Sequence, residues 1–227
     1  MQSIDRRDVV GGTLFALSAS AAAAEDGPEN SSGVLSGQQA VIIGADNDVA
    51  AAISAHIIKA GGRAQRLMPT AATEASYSDT LKGLADRTDI IVNVAIPEHN
   101  GAVGKASAND FHRVMEASYV RTFLAMKYGL PLLRSAGGGS FITVTSSAGR
   151  RGAPGAAAAS AAANGIMQMT KCAALNCADK QDKVRVNAIL AGAVTPDSIA
   201  SAAVFLAADA SVYYTGALMP VDDGGLS

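Results

Sequence analysis

The chain has 227 residues, 49% of them hydrophobic and 17% charged, with a formal net charge of −2. Those figures suit one globular domain with an ample core and exclude a disordered chain. They also lack the basic stripe that nucleic-acid binding requires, so no nucleic-acid partner is expected.

Residues 1–24 read as a leader. Arg6 and Arg7 precede a modest apolar run of small residues that ends in Ala22–Ala24 before Glu25. This is similar to a twin-arginine export signal, although Asp8 and Val9 depart from the usual pattern. Cleavage after Ala24 and a periplasmic mature protein are the expectation, with membrane anchoring through an uncleaved segment as the alternative. Residues 25–37 (EDGPENSSGVLSG) read as a flexible polar segment. No later stretch is long and apolar enough to span a membrane.

From Gln38 to Ser227 strands and helices alternate. AVIIG (40–44) predicts a strand and residues 48–62 a helix, with Val49, Ile53, Ile57 and Ile58 on one face and Gly61–Gly62 as its stop. RAQRLM (63–68) is a strand, residues 78–87 a helix and DIIVNVA (89–95) a buried strand. A long helix is expected from Asn109/Asp110 to the glycines at 137–139. It is followed by the strand SFITVTS (140–146) and an alanine-rich helix over 156–178. KVRVNAIL (183–190), the helix 196–209 and ALMPVDDG (217–224) complete the pattern. Such alternation predicts an α/β fold, a doubly wound, mostly parallel sheet in a single Rossmann-like domain over 38–227. Cys172 and Cys177 fall about 140° apart on their helix, which excludes a disulfide between them, and no residue spacing suits a metal.

Four segments in order carry a resemblance. DIIVNVA, GGSFITVTSSAG, VRVNAILAGAVTP and AAVFLAADASVYYTGALMPVDDGG together resemble the short-chain dehydrogenase/reductase family. The resemblance implies an NAD(P)-binding fold whose catalytic serine falls on Ser146. The family's catalytic tyrosine and lysine then fall on Ala159 and Ala163, and its helical asparagine on Ser118. The loop Gly44-Ala45-Asp46-Asn47-Asp48-Val49-Ala50 keeps only the first glycine of the family's phosphate loop, and Asn93 keeps one residue of its N-N-A-G motif. Asp48 opposes a pyrophosphate by bulk and charge. Asp46 adds a second carboxylate, and both aspartates are expected to cap the following helix. The usual lid after the T-P motif is absent, since Thr195-Pro196 runs straight into the next helix.

These departures lead to the expectation of an exported pseudoenzyme serving as a binding or accessory subunit. No cofactor is expected, with weak NAD or NADP binding as the alternative. Its partner would be another subunit, or a second copy met through the long helices. Ser146, Ser118 and His99 are the catalytic candidates; Gly44 and Asn93 are the cofactor-binding ones. The alternatives are a non-redox enzyme using the Ser146 pocket and a residual NAD(P)-dependent oxidoreductase.

Overall fold

The computed structural model describes residues 33–84, 87–98 and 101–225. The expected export signal lies outside the described residues, as does the polar segment up to residue 32. Residues 33–37, expected to belong to that flexible segment, pack on the domain instead. Leu35 is fully buried, and its amide donates to the Ala60 carbonyl at 3.0 Å.

The strands are β1 (Gln39–Gly44), β2 (Arg63–Leu67), β3 (Ile90–Val94), β4 (Gly139–Ser146), β5 (Val184–Ala191) and β6 (Leu218–Val221). They form one parallel sheet in the order β2-β1-β3-β4-β5-β6. Side chains alternate across it, as the two-residue period of a strand requires. Ile42, Val92, Ile142 and Ile189 face a core closed by α1 (Asp48–Lys59) and α7 (Pro196–Ala207). Val41, Ile43, Ile91, Phe141 and Val186 face the other core. That side is closed by α2 (Glu74–Lys82), α4 (Arg121–Ser135) and α6 (Ala157–Asp179). The fold is the predicted doubly wound α/β architecture. The strand order reverses beside β1, so a crevice opens at the carboxyl ends of β1 and β3.

The predicted long helix is not continuous. It comprises α3 (Ala108–Val114), a π-helical turn over Met115–Val120, and α4. Inside that turn the Ser118 hydroxyl donates to the Val114 carbonyl at 2.7 Å, and Thr122 donates to the Ser118 carbonyl at 2.7 Å. Back-bonding of this kind loosens the regular ladder and accompanies the π register. The first turn of α3 is capped by Ser107, whose Oγ accepts from the Asp110 amide. A short helix, α5 (Ala148–Arg151), separates β4 from α6. Among the described residues no helix is long and apolar enough to cross a membrane.

Candidate active site

The carboxyl edge of the sheet is built around Gly44. Its φ of +113° belongs to the left-handed region, and a Cβ there would sit 2.3 Å from the Val94 carbonyl oxygen. Only glycine makes this turn from β1 toward α1. The aspartates that follow do not cap the helix. Asn47 is the N-cap, its Oδ1 accepting from the Ala50 amide at 3.1 Å, and Asp48 is the first helical residue. The amides of Asp48 and Val49 belong to the first turn and have no acceptor within the helix. Asp46 turns the other way and accepts from Arg66 Nη1 at 3.1 Å. Both aspartates are exposed.

Ser146 ends β4 on the same edge. It is half-buried, and its Oγ accepts from the Ala148 amide at 3.2 Å. Ala159 and Ala163 lie on the side of α6 turned into the protein and are both fully buried. A Cβ placed on Gly149 would meet the Ala163 methyl at 2.7 Å, so α5 and α6 are in close backbone contact here. Tyr119 is no replacement acid, because its ring lies over Gly165, two residues and about 200° around α6 from Ala163.

The other candidates are dispersed. Ser118 is 2% exposed and its hydroxyl is committed to the Val114 carbonyl, so it serves the helix and is not free to act on a substrate. Asn93 is fully buried and donates to Thr122 Oγ1 at 3.0 Å, a tie between β3 and α4, while its Oδ1 has no hydrogen-bond partner. His99 lies outside the described residues. Arg150 and Lys171 are exposed. Thr195 caps α7 directly, its Oγ1 accepting from the Ser198 amide, with no lid inserted between Pro196 and the rest of the helix. The structure thus brings Gly44 and Ser146 to one edge and leaves Ser118 and Asn93 in structural roles.

Arg66 was not among the sequence candidates. The available signal was its place, about twenty residues beyond the first loop glycine at the end of the second strand, where nucleotide-binding folds recognise the adenosine ribose. A separate cavity of about 560 Å³, lined by Gly138, Lys183 and Arg185 among others, opens at the amino ends of the strands. It lies a whole strand length from Ser146, roughly 23 Å.

Comparison with known proteins decides the family. Residues 36–195 match the family profile described as enoyl-(acyl carrier protein) reductase, one of the short-chain dehydrogenase profiles. The chain belongs to the short-chain dehydrogenase/reductase family. It is 27% identical over 217 residues to 2,5-dichloro-2,5-cyclohexadiene-1,4-diol dehydrogenase LinX of Sphingobium indicum, covering 83% of this chain and 86% of that one. It is 31% identical over 157 residues to trans-4-hydroxycyclohexanecarboxylate dehydrogenase of Sinomonas cyclohexanicum, covering 60% of each. A crystal structure assigned to the same class, from Burkholderia xenovorans, superposes with a TM-score of 0.77 at 21% identity. That superposition covers 85% of this chain and 98% of that one. The first two likenesses bear on activity; the third establishes the fold.

These findings overturn two expectations. An accessory pseudoenzyme is not what the relatives indicate: those of this short-chain dehydrogenase/reductase are named dehydrogenases, which points to an enzyme. The expectation of no cofactor falls for the same reason, since the family's redox chemistry uses NAD(P). The local structure supplies a physical reason as well. Asp46 is ion-paired with Arg66 at the surface, and Asp48 is exposed, so their repulsion of a phosphate is screened by water and not magnified by burial. The residues present fit a dinucleotide: the Gly44 turn and the first-turn amides of α1 stand at the carboxyl end of β1, and Arg66 reaches the same loop.

Proposed function

We propose that the chain is an NAD(P)-dependent oxidoreductase that interconverts secondary alcohols on carbocyclic rings with their ketones, and does so slowly. The observation that carries this reading is the half-buried Ser146 hydroxyl, held at the same sheet edge as the Gly44 turn. The relatives named for ring-bearing alcohols support the substrate class.

A bound nicotinamide supplies the hydride acceptor for alcohol oxidation. The chain supplies binding through Gly44, the α1 amides and Arg66, and orientation through Ser146. Because Ser146 Oγ accepts from Ala148, its proton is free to donate toward the substrate oxygen. Positions 159 and 163 carry methyl groups, so the alcohol proton passes to solvent and not to a side chain there. A positioned general acid/base contributes roughly 10²–10⁴ in rate. Against an ordinary turnover of about 10 s⁻¹, this site is expected to run at roughly 0.1 s⁻¹ or slower.

The test is reduced-nicotinamide formation from a panel of cyclohexanols, followed from mildly acidic to strongly alkaline pH. The expected result is slow turnover that rises with pH without a plateau, as transfer to hydroxide dictates, and that falls further in Ser146→Ala. No turnover with any alcohol or ketone at saturating cofactor would overturn the proposal.

We also propose that Arg6 and Arg7 direct export and that the mature chain begins near Glu25; Arg6→Lys/Arg7→Lys should then retain the protein in the cytoplasm. Self-association through the long helices is a further proposal, supported by exposed Phe123 on α4 and Leu175 on α6. Light scattering of the wild type and of Phe123→Glu/Leu175→Glu tests it.

A further inference from the structure

We infer that the cavity of about 560 Å³ at the amino ends of the strands is a second binding site, for an organic monocarboxylate. The ligand's apolar body enters the cavity and its charge rests on the Lys183 ammonium. The site is separate from the Ser146 edge and does not depend on the redox reading.

The turn between α4 and β4 shapes the cavity. Gly137, Gly138 and Gly139 follow one another there with φ of +92°, +135° and +149°. A Cβ on Gly138 would lie 2.7 Å from the Lys183 Cβ, and one on Gly139 would lie 2.3 Å from the Asp89 carbonyl oxygen. Only glycine lets the turn pass this close to both segments. A Cβ on Gly137 would meet nothing within 4 Å, so the turn faces open space here. Behind the turn the walls are apolar: Ala174 of α6, Val184 of β5 and Ala207 of α7 are each 4% exposed. Val212 lines the same cavity yet is 57% exposed, a large apolar side chain that a bound apolar body would cover. The volume falls in the range of small-molecule sites.

The charges decide the sign of the ligand. The carboxylates lining the cavity are Asp89, Asp182 and Asp209. Asp89 accepts from Arg87 Nε at 2.7 Å and from the Gln39 amide at 2.9 Å. Asp182 accepts from Arg134 Nε, and Asp209 acts on the Arg185 guanidinium. Each carboxylate thus has a guanidinium of its own, which leaves Lys183 over. Lys183 is exposed on the cavity wall, and among the described residues no carboxylate pairs with it. One surplus cation suits one negative charge. A phosphate monoester or a dicarboxylate would bring a second charge that meets no free cation and lies near aspartates. An ammonium carries three donors on a flexible stem, so it accepts a carboxylate from many directions while the apolar walls orient the body.

Fluorescence titration with 2-naphthoate tests the site. 2-Naphthamide is the uncharged counterpart of the same shape, and acetate supplies the charge without the body. The assay needs neither cofactor nor turnover, so its failure leaves the redox reading standing. Wild type is expected to bind 2-naphthoate about three- to fivefold more tightly than 2-naphthamide, the worth of one exposed ion pair, and the margin should shrink as salt is added. Lys183→Gln should erase the margin and leave 2-naphthamide binding in place. Ala178→Trp, at an exposed position of the cavity wall, should weaken both ligands. Circular dichroism establishes that the variants fold, and Lys183→Gln alone decides if Ala178→Trp does not. Equal binding of the two naphthyl ligands by wild type, or a margin that survives Lys183→Gln, would overturn the inference. So would 2-naphthoate affinity unchanged in a folded Ala178→Trp, or acetate binding as tight as that of 2-naphthoate.

Discussion

Gly149 and Ala163 touch across the α5–α6 junction: a Cβ on the glycine would lie 2.7 Å from the alanine methyl and 2.6 Å from the Asn164 amide nitrogen. No backbone in a packed interior yields that much without moving. Gly149→Ala is therefore expected to destabilise by about 1–3 kcal/mol, the usual cost of overpacking. Urea unfolding of the variant measures it. An unchanged midpoint would mean that the two helices separate freely. The displaced segment begins two residues after Ser146, so turnover should fall in the same variant.

Asp48 lies at the end of the β1–α1 loop, at the first position of α1. It is exposed, so its repulsion of a pyrophosphate is of the water-screened kind, about 1 kcal/mol at 4 Å. Asp48→Asn should accordingly tighten NADPH and NADH alike, by roughly fivefold, and the gain should shrink as salt is added. A gain limited to one of the two dinucleotides would contradict the placement of Asp48 beside the pyrophosphate they share.

Arg185 closes the carboxyl end of α7. Its Nη1 donates to the Leu206 carbonyl and to Ser211 Oγ, both at 2.8 Å, and Nη2 to the Ala207 carbonyl at 3.2 Å. Burial pulls its pKa below the ordinary arginine value, with Asp209 acting in the opposite sense. Arg185→Ala would leave the Ala207 carbonyl without its donor, whereas the Leu206 carbonyl keeps the Ser140 and Ser211 hydroxyls, at a cost of about 1–3 kcal/mol. Arg185→Lys should recover only part of this, since an ammonium cannot span the same fork of carbonyls. Equilibrium unfolding of the two variants side by side is the measurement.

The cysteines should differ in reactivity. Cys172 is exposed and Cys177 is buried. Burial pushes the Cys177 thiol above its ordinary range, while Arg134 pulls it down. A thiol reagent should modify one cysteine in the native chain and two after unfolding. The same shift gives a sign for pH. Above the unfolded thiol's pKa of about 8.5 the unfolded chain loses a proton that the folded one keeps. Stability should therefore decline as pH rises past that value, and Cys177→Ser should weaken the dependence.

Much of this protein is legible along the chain because its causes are local. The short apolar runs of AVIIG, DIIVNVA and SFITVTS mark strands buried on both faces, and the six strands lie where such runs and their β-rich neighbours predict. Ser146, Ala159 and Ala163 were placed by counting along the chain from the family resemblance, and the structure keeps both alanines in the interior. The tertiary structure decided what depends on residues far apart in sequence. The sheet order brings the end of β2 against the β1–α1 loop, so that Arg66 pairs with Asp46 across twenty residues. It ties Asn93 to Thr122, and the π-helical turn ties Ser118 to Val114, so two candidates that the family resemblance put forward hold helix and strand together. Helix and strand periods record which side of an element is apolar, but not which polar partner a distant segment brings to it. A hydrogen bond or ion pair between elements exists only once the strands have been ordered and the helices packed upon them.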